Sequence, residues 1–192
     1  MEVNLNEYLS STQKLIEDTI LSGIENSMQL AIKESLIALS KGKIIAVAGN
    51  GGSHADSTHL VAELVNWFTI KHKALPFFAL GTNSAVSTAW SNDHDFESQF
   101  ERELSSFETH IGLLIVITTS GMSSNIINAL KWAKARELPT IGFLGEGGSA
   151  TDLVDIALSV PSRVTHKIQE LHINLYHFYC MEIERLHSDL VI

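Results

Sequence analysis

Between residues 44 and 160, five short apolar runs alternate with stretches of helical periodicity, and this alternation restricts the fold more than any other feature. The runs are Ile44–Ala48, Phe77–Leu80, Leu113–Thr118, Thr140–Leu144 and Ile156–Val160. Each is short and bounded by turn residues, as expected of strands buried on both faces. Strands separated by helical crossovers run parallel, and the helices must then cover both faces of the sheet. The expected fold is α/β, a three-layer αβα sandwich around a five-stranded, mostly parallel sheet. Residues 4–41 read as one or two preceding helices, with apolar positions at Leu15, Ile16, Ile20, Ile24, Met28, Leu30 and Ile32 and a break near Gly23 and Asn26. Residues 165–187 read as a long closing helix whose apolar face includes Ile168, Leu171, Leu175, Phe178 and Ile183. No linker, repeat or low-complexity segment interrupts the chain. It is therefore expected to form one domain over 1–192: amino-terminal helices (1–41), an α/β core (42–164) and a carboxyl-terminal helix (165–192).

Charge and composition narrow the partners. The net charge of −9 argues against nucleic acid, whose phosphates call for clustered Lys and Arg. No apolar run approaches the length of a membrane span. The acidic, polar amino terminus does not read as a secretory signal, so a cytoplasmic location is expected. The single cysteine, Cys180, precludes an internal disulfide and falls in an apolar helical pattern, as a core residue would.

Such sheets bind ligands at the carboxyl ends of their strands, and there the most informative segment lies. The stretch AGNGGSHADSTHLVAEL, residues 48–64, runs from the first strand through a glycine-rich turn into a helix. It is not a dinucleotide fingerprint, because His54 stands where the third glycine would be, and it lacks the Lys of a nucleotide-triphosphate loop. On the helix, His59 and Glu63 are four residues apart and face one way, as a metal-binding or proton-transferring pair would. Taken alone, the turn reads equally as a tight strand-to-helix connection, and the pair as a solvated surface pair.

A second turn, TTSGMSSNII, follows the strand LLIVI and opens another helix. Thr118, Thr119, Ser120, Ser123 and Ser124 surround Gly121 with hydroxyls. With the free N–H groups of a helix start they can hold a phosphate without Arg or Lys. Helix capping is the competing explanation for one or two of them; five hydroxyls within seven residues favour phosphate. A third turn, GEGGS, follows the fourth strand. The closing helix carries HKIQELHINLYHFY, residues 166–179. Gln169 and His177 are eight residues apart, about 12 Å along a helix axis, and their side chains lean so that one helix hardly brings both to one ion. If both serve one site, either Gln169 lies at a frayed helix start or two chains contribute to it.

Together the motifs GNGGSHADSTHLVAEL, SND at 91–93, TTSGMS at 118–123 and IQELHINLYH at 168–177 resemble those of the phosphoheptose isomerases, members of the phosphosugar-isomerase (SIS) domain superfamily. The resemblance covers nearly the whole chain and implies a flavodoxin-like sheet. It implies that Asn50, Gly51, Gly52, Asn92 and Asp93 contact substrate, and that Thr118, Thr119, Ser120 and Ser123 form the phosphate loop. It further implies that His59, Glu63, Gln169 and His177 hold zinc, with Glu63 and Gln169 also at the substrate and Glu63 and His177 as the acid/base pair. A homotetramer with active sites at subunit interfaces is implied as well. Two positions depart from the usual STSGNS loop: Thr118 keeps the first hydroxyl, whereas Met122 replaces an amide with an apolar side chain.

The implied reaction converts sedoheptulose 7-phosphate into D-glycero-D-manno-heptose 7-phosphate, a step toward heptose and lipopolysaccharide precursors. An enediol route needs a base for the proton beside the carbonyl and an acid for the carbonyl oxygen. Two alternatives use the same fold: a non-catalytic phosphosugar-sensing or protein-docking module, such as the initiator-associating type, and an isomerase of another ketose phosphate. A pure binding module has no chemical need for His59, Glu63, Gln169 and His177 together.

Overall fold

The computed structural model describes residues 4–188; the ends of the first and last expected segments, 1–3 and 189–192, lie outside that range. Two helices, α1 (Leu5–Leu21) and α2 (Ile24–Ser40), precede the sheet and are separated at Gly23, whose φ is 75°. The strands are β1 (Ile44–Gly49), β2 (Phe77–Ala79), β3 (Ile111–Thr118), β4 (Thr140–Leu144) and β5 (Ile156–Ser159). Between them lie α3 (Gly52–Val65), α4 (Ser84–Asp93), α5 (Gln99–Ser105), α6 (Ser124–Lys134) and a 3-10 turn at Ser149–Asp152, and α7 (Thr165–Ser188) closes the chain. The sheet order is β2-β1-β3-β4-β5 and every pairing is parallel. This is the doubly wound, flavodoxin-like order, expected as mostly parallel and found wholly so.

The two faces of the sheet are divided by the alternation of side chains along each strand. Ile45 and Val47 of β1, Leu113, Ile115 and Ile117 of β3, and Ile141 and Phe143 of β4 pack against α2, α3 and α7. Ala46, Ala48, Leu114, Val116 and Leu144 face the other way, onto α5 and α6 through Phe100, Leu104, Ile126, Leu130 and Trp132. A bulge between Ile44 and Ile45 shifts the register against β3, so Ile111 and Leu113, two apart, serve opposite faces. Cys180 is buried in the first cluster, where desolvation pushes its thiol pKa up.

Several apolar positions assigned to helix faces are not in the core. Ile16, Ile20, Leu30 and Phe178 are exposed, whereas Leu15 of α1 is buried with Val160, Ile168 and Leu171. The start of α7 is tied to α1 by polar contacts as well. Tyr8 and Thr12 hydrogen-bond to Glu170, and the Lys167 ammonium reaches the Tyr8 carbonyl at 3.0 Å.

His172 is fully buried on α7, with Nε2 donating to the Leu144 carbonyl at 3.1 Å and Nδ1 unpartnered. Desolvation depresses its pKa from 6.5 to about 4, against a smaller opposing effect of the Leu144 carbonyl. Unfolding therefore takes up a proton between these values, and the stability present above pH 6.5 is lost as pH falls toward 4. The expected loss is about 3 kcal/mol of unfolding free energy in the wild type relative to His172→Gln, measured by urea denaturation at pH 7 and pH 4. Equal pH dependence in the two proteins contradicts this account.

Candidate active site

The sheet order reverses between β1 and β3, and the two glycine- and hydroxyl-rich loops emerge on either side of that switch point. The loop after β1 enters α3, and the loop after β3 enters α6. Asn50 and Asn125 join them by reciprocal amide hydrogen bonds of 2.8 and 2.9 Å. Asn125 is completely buried, and sequence reasoning missed it although it stands inside the TTSGMSSNII motif.

Helices α1 and α4 begin with Asn4 and Asn83, whose side chains accept from backbone N–H groups of the first turn. By contrast α3, with Gly51 at its N-cap, and α6, with Ser123, have no side-chain cap. Both helix starts at the switch point turn positive dipole ends toward an anion, although the Ser53 and His54 N–H groups already bond to the Asn50 and Gly51 carbonyls and the Ile126 N–H to Asn125 Oδ1. Capping was the competing explanation for one or two of these hydroxyls, and that of Ser123, at the N-cap position, makes no capping bond. Thr118 Oγ1 accepts from the Gly121 N–H at 3.2 Å and Ser120 Oγ from the Met122 N–H at 3.2 Å, so these two hydroxyls shape the loop. Thr119 is half-buried and Ser120 exposed. Met122 is 61 % exposed, with its sulfur 3.9 Å from the Ser149 hydroxyl.

The GEGGS turn buttresses this loop. The Ala150 N–H donates to the Gly121 carbonyl at 3.0 Å, and Gly148, with φ 84°, lies so close that a Cβ there would be 2.2 Å from the Ser120 carbonyl oxygen. Sequence reading found the turn but not its contact with the loop after β3.

His59, Glu63 and His177 come together within one chain. Each offers a ligand atom, and these atoms lie within 4.8 Å of one another. His59 Nε2 is 2.8 Å from Glu63 Oε1. The His59 and His177 rings meet edge to face, 5.1 Å between centroids. Burial, and then the neighbouring His59, lower the His177 pKa, while Glu63 opposes them. On its other nitrogen His59 meets the Tyr176 hydroxyl at 2.8 Å, and Tyr176 in turn neighbours Asp56. Burial raises the Asp56 pKa to about 6, against the lowering effects of His59 and Tyr176. Asp56 and Tyr176 were not singled out from the sequence, although Asp56 precedes His59 by three residues and Tyr176 adjoins His177.

The trio suits a metal ion. Two imidazoles and a carboxylate are a zinc-type donor set, and His177 Nε2 is buried with no hydrogen-bond partner. Gln169 lies at the other end of the site. Its amide packs on Gly52 so closely that a Cβ there would be 2.3 Å from Nε2. The side-chain lean expected from the sequence accounts for this separation, since His177 meets α3 two helical turns from where Gln169 meets the start of that helix. Glu63 and His177 need no second chain to meet. A cavity of about 310 Å³ opens beside the first loop, lined by Asn50, Gly51, His54, Gly81, Ser87 and Phe96. Asn92 and Asp93 lie exposed at the end of α4 and hydrogen-bond to each other at 2.9 Å. A wider hollow, about 550 Å³, lies between α2 and the end of α7 and holds none of these residues.

Residues 7–145 match the SIS domain family. The phosphoheptose isomerase of Clostridium acetobutylicum is 37 % identical over 96 % of this chain and 93 % of its own length. That of Crocosphaera subtropica is 45 % identical over 74 % of each chain. The solved structure of a phosphoheptose isomerase from Francisella tularensis superposes with a TM-score of 0.88 at 31 % identity, covering 94 % of this chain and 96 % of the other. With its all-parallel sheet, its two loops at the switch point and these relatives along nearly its whole length, the chain belongs to the phosphoheptose isomerase family of SIS-domain proteins.

Proposed function

We propose that the protein interconverts sedoheptulose 7-phosphate and D-glycero-D-manno-heptose 7-phosphate, in the cytoplasm, on the way to heptose precursors of lipopolysaccharide. The observation that carries this reading is the meeting of His59, Glu63 and His177 in one cluster beside the switch-point loops. A binding module on this fold has no use for that cluster.

In this reading the phosphate sits on Thr118, Thr119, Ser120 and Ser123 at the uncapped start of α6. Asn50, Gly51, Gly52 and Gln169, with Asn92 and Asp93, contact the open-chain sugar. Glu63 takes the proton from C1 of the ketose while His177 protonates the C2 oxygen, giving the enediol. The reverse transfers, from the O1 hydroxyl and onto C2, complete the aldose. Burial and the neighbouring His59 lower the His177 pKa and favour its neutral imidazole, the form that binds a metal or accepts a proton. His59, Glu63 and His177 would hold zinc; Gln169, which lies against Gly52 two helical turns away, would complete the set only from a second chain. A zinc ion there supplies Lewis-acid polarisation of the carbonyl and adjacent hydroxyl oxygens. A homotetramer accords with the apolar side chains exposed on the terminal helices, among them Leu5, Leu9, Ile20, Leu21 and Phe178.

Purified protein incubated with a panel of ketose phosphates, with aldose followed by NMR, tests the reading. Product from sedoheptulose 7-phosphate alone supports it. Turnover of another ketose phosphate instead moves the substrate, and phosphosugar binding without turnover leaves a sensing module. Ser123→Ala separates phosphate binding from capping. Because Ser123 makes no capping bond, its loss is expected to change stability by less than about 0.5 kcal/mol. Substrate affinity is expected to weaken by roughly 1.5–3 kcal/mol, the worth of a hydrogen bond to a charged group. A fall in melting temperature with unchanged affinity assigns Ser123 to the helix start.

A further inference from the structure

Helix α7 carries a buried acidic residue whose contacts lead back to the cluster. Glu184 follows His177 by seven residues and is 1 % exposed. One carboxylate oxygen accepts from the Phe68 N–H and meets His72 Nε2 at 3.1 Å. The other accepts from the Thr69 N–H and hydroxyl, each at 2.8 Å, and from the Ile70 N–H at 3.0 Å. Burial acts to raise the Glu184 pKa, but the N–H groups of Phe68, Thr69 and Ile70 and the Thr69 hydroxyl outweigh it, and the net shift is downward. Three successive N–H groups converging on one oxyanion form a nest, which orders the backbone that supplies them.

The ordered backbone is the segment that leaves α3, the helix of His59 and Glu63. It presents Phe68, whose ring stacks on the His177 imidazole at 4.9 Å between centroids and 29° between planes. Helix α7 thus supplies His177 and, two turns further on, the anion that fixes the loop lying against it.

We propose that Glu184 is a positioning residue for His177: by binding the backbone of residues 68–70 it holds Phe68 against the imidazole and keeps that ring in the orientation that meets His59 and Glu63. This rests on reading the trio as the metal and acid/base centre. A carboxylate that merely stabilised the loop would affect melting temperature alone. A positioning carboxylate is felt at His177.

The test uses the full chain with Glu184→Gln, Phe68→Ala, the double variant and Phe68→Tyr, which keeps a stacking ring. Three quantities are read: the His177 Cε1–H resonance in metal-free protein, zinc affinity by competition with a chromophoric chelator, and kcat apart from KM. Glu184→Gln and Phe68→Ala are each expected to shift the resonance, weaken zinc about 10-fold or more and lower kcat more than they raise KM. The double variant is expected to be no worse than the more impaired single variant, because both act through one contact. Phe68→Tyr is expected to behave as wild type. A folded Phe68→Ala protein with unchanged zinc affinity and kcat overturns the proposal, as does a Glu184→Gln effect confined to melting temperature. Should Glu184→Gln fail to fold, the shorter Glu184→Asp takes its place with the same expectations. If the wild type neither binds zinc nor isomerises, the active-site reading fails, while the His177 resonance still decides whether Glu184 governs that ring.

Discussion

Glu63→Gln is expected to lower turnover by at least about 100-fold while the protein stays folded. The amide occupies nearly the same volume but cannot take the proton from C1. Glu63 is on the exposed side of α3, 2.8 Å from His59, and its side chain is 22 % accessible, so replacing it removes no core contact. The loss is expected in kcat, with the melting temperature of the metal-free protein little changed and zinc affinity reduced. NMR detection of the aldose and thermal unfolding on the same preparation measure both. Near-normal turnover by a folded Glu63→Gln protein removes Glu63 from the chemistry and leaves it, at most, a metal ligand.

Gly148→Ala is expected to destabilise the protein by about 3 kcal/mol or more and to weaken phosphate binding in the fraction that folds. Two effects combine there. At φ 84° and ψ 152° Gly148 occupies a region that side chains strongly disfavour, and its added Cβ would meet the Ser120 carbonyl at 2.2 Å, a backbone atom that cannot rotate away. Relief requires the phosphate loop to move. The neighbouring Gly147 provides the control: its φ is 86°, yet nothing lies within 4 Å of a Cβ built on it. Gly147→Ala therefore carries the backbone strain without the collision, and urea denaturation of the two variants isolates the contact between the turns. Equal destabilisation, with phosphate affinity unchanged in both, excludes the GEGGS turn as a support for the loop.

The strands, their parallel order and the helices that cover them were legible because a strand buried on both faces must be continuously apolar. The five runs such as Leu113–Thr118 and Thr140–Leu144 have no other use in a chain of this composition. The pairing of His59 with Glu63 was legible too, since four residues on a helix fix two side chains on one face. The separation of Gln169 from His177 followed from helix geometry in the same way.

Contacts between residues far apart in the chain were decided only by the tertiary structure. Nothing local joins Asn50 to Asn125, 75 residues on, or Gly148 to Ser120. Sequence spacing left a frayed helix start or a second chain as the way to bring Gln169 and His177 to one site; only the packing of α3 on α7 shows that His177 stands beside Glu63 within one chain. Apolar periodicity placed Ile20 and Phe178 on the apolar faces of the terminal helices, and both are exposed in the single chain, because periodicity records which face is apolar and not what covers it. Glu184 was silent for the complementary reason. An acidic residue in an amphipathic helix reads as a solvated charge, and only the loop folded over it, with three N–H groups turned inward, makes it a buried anchor.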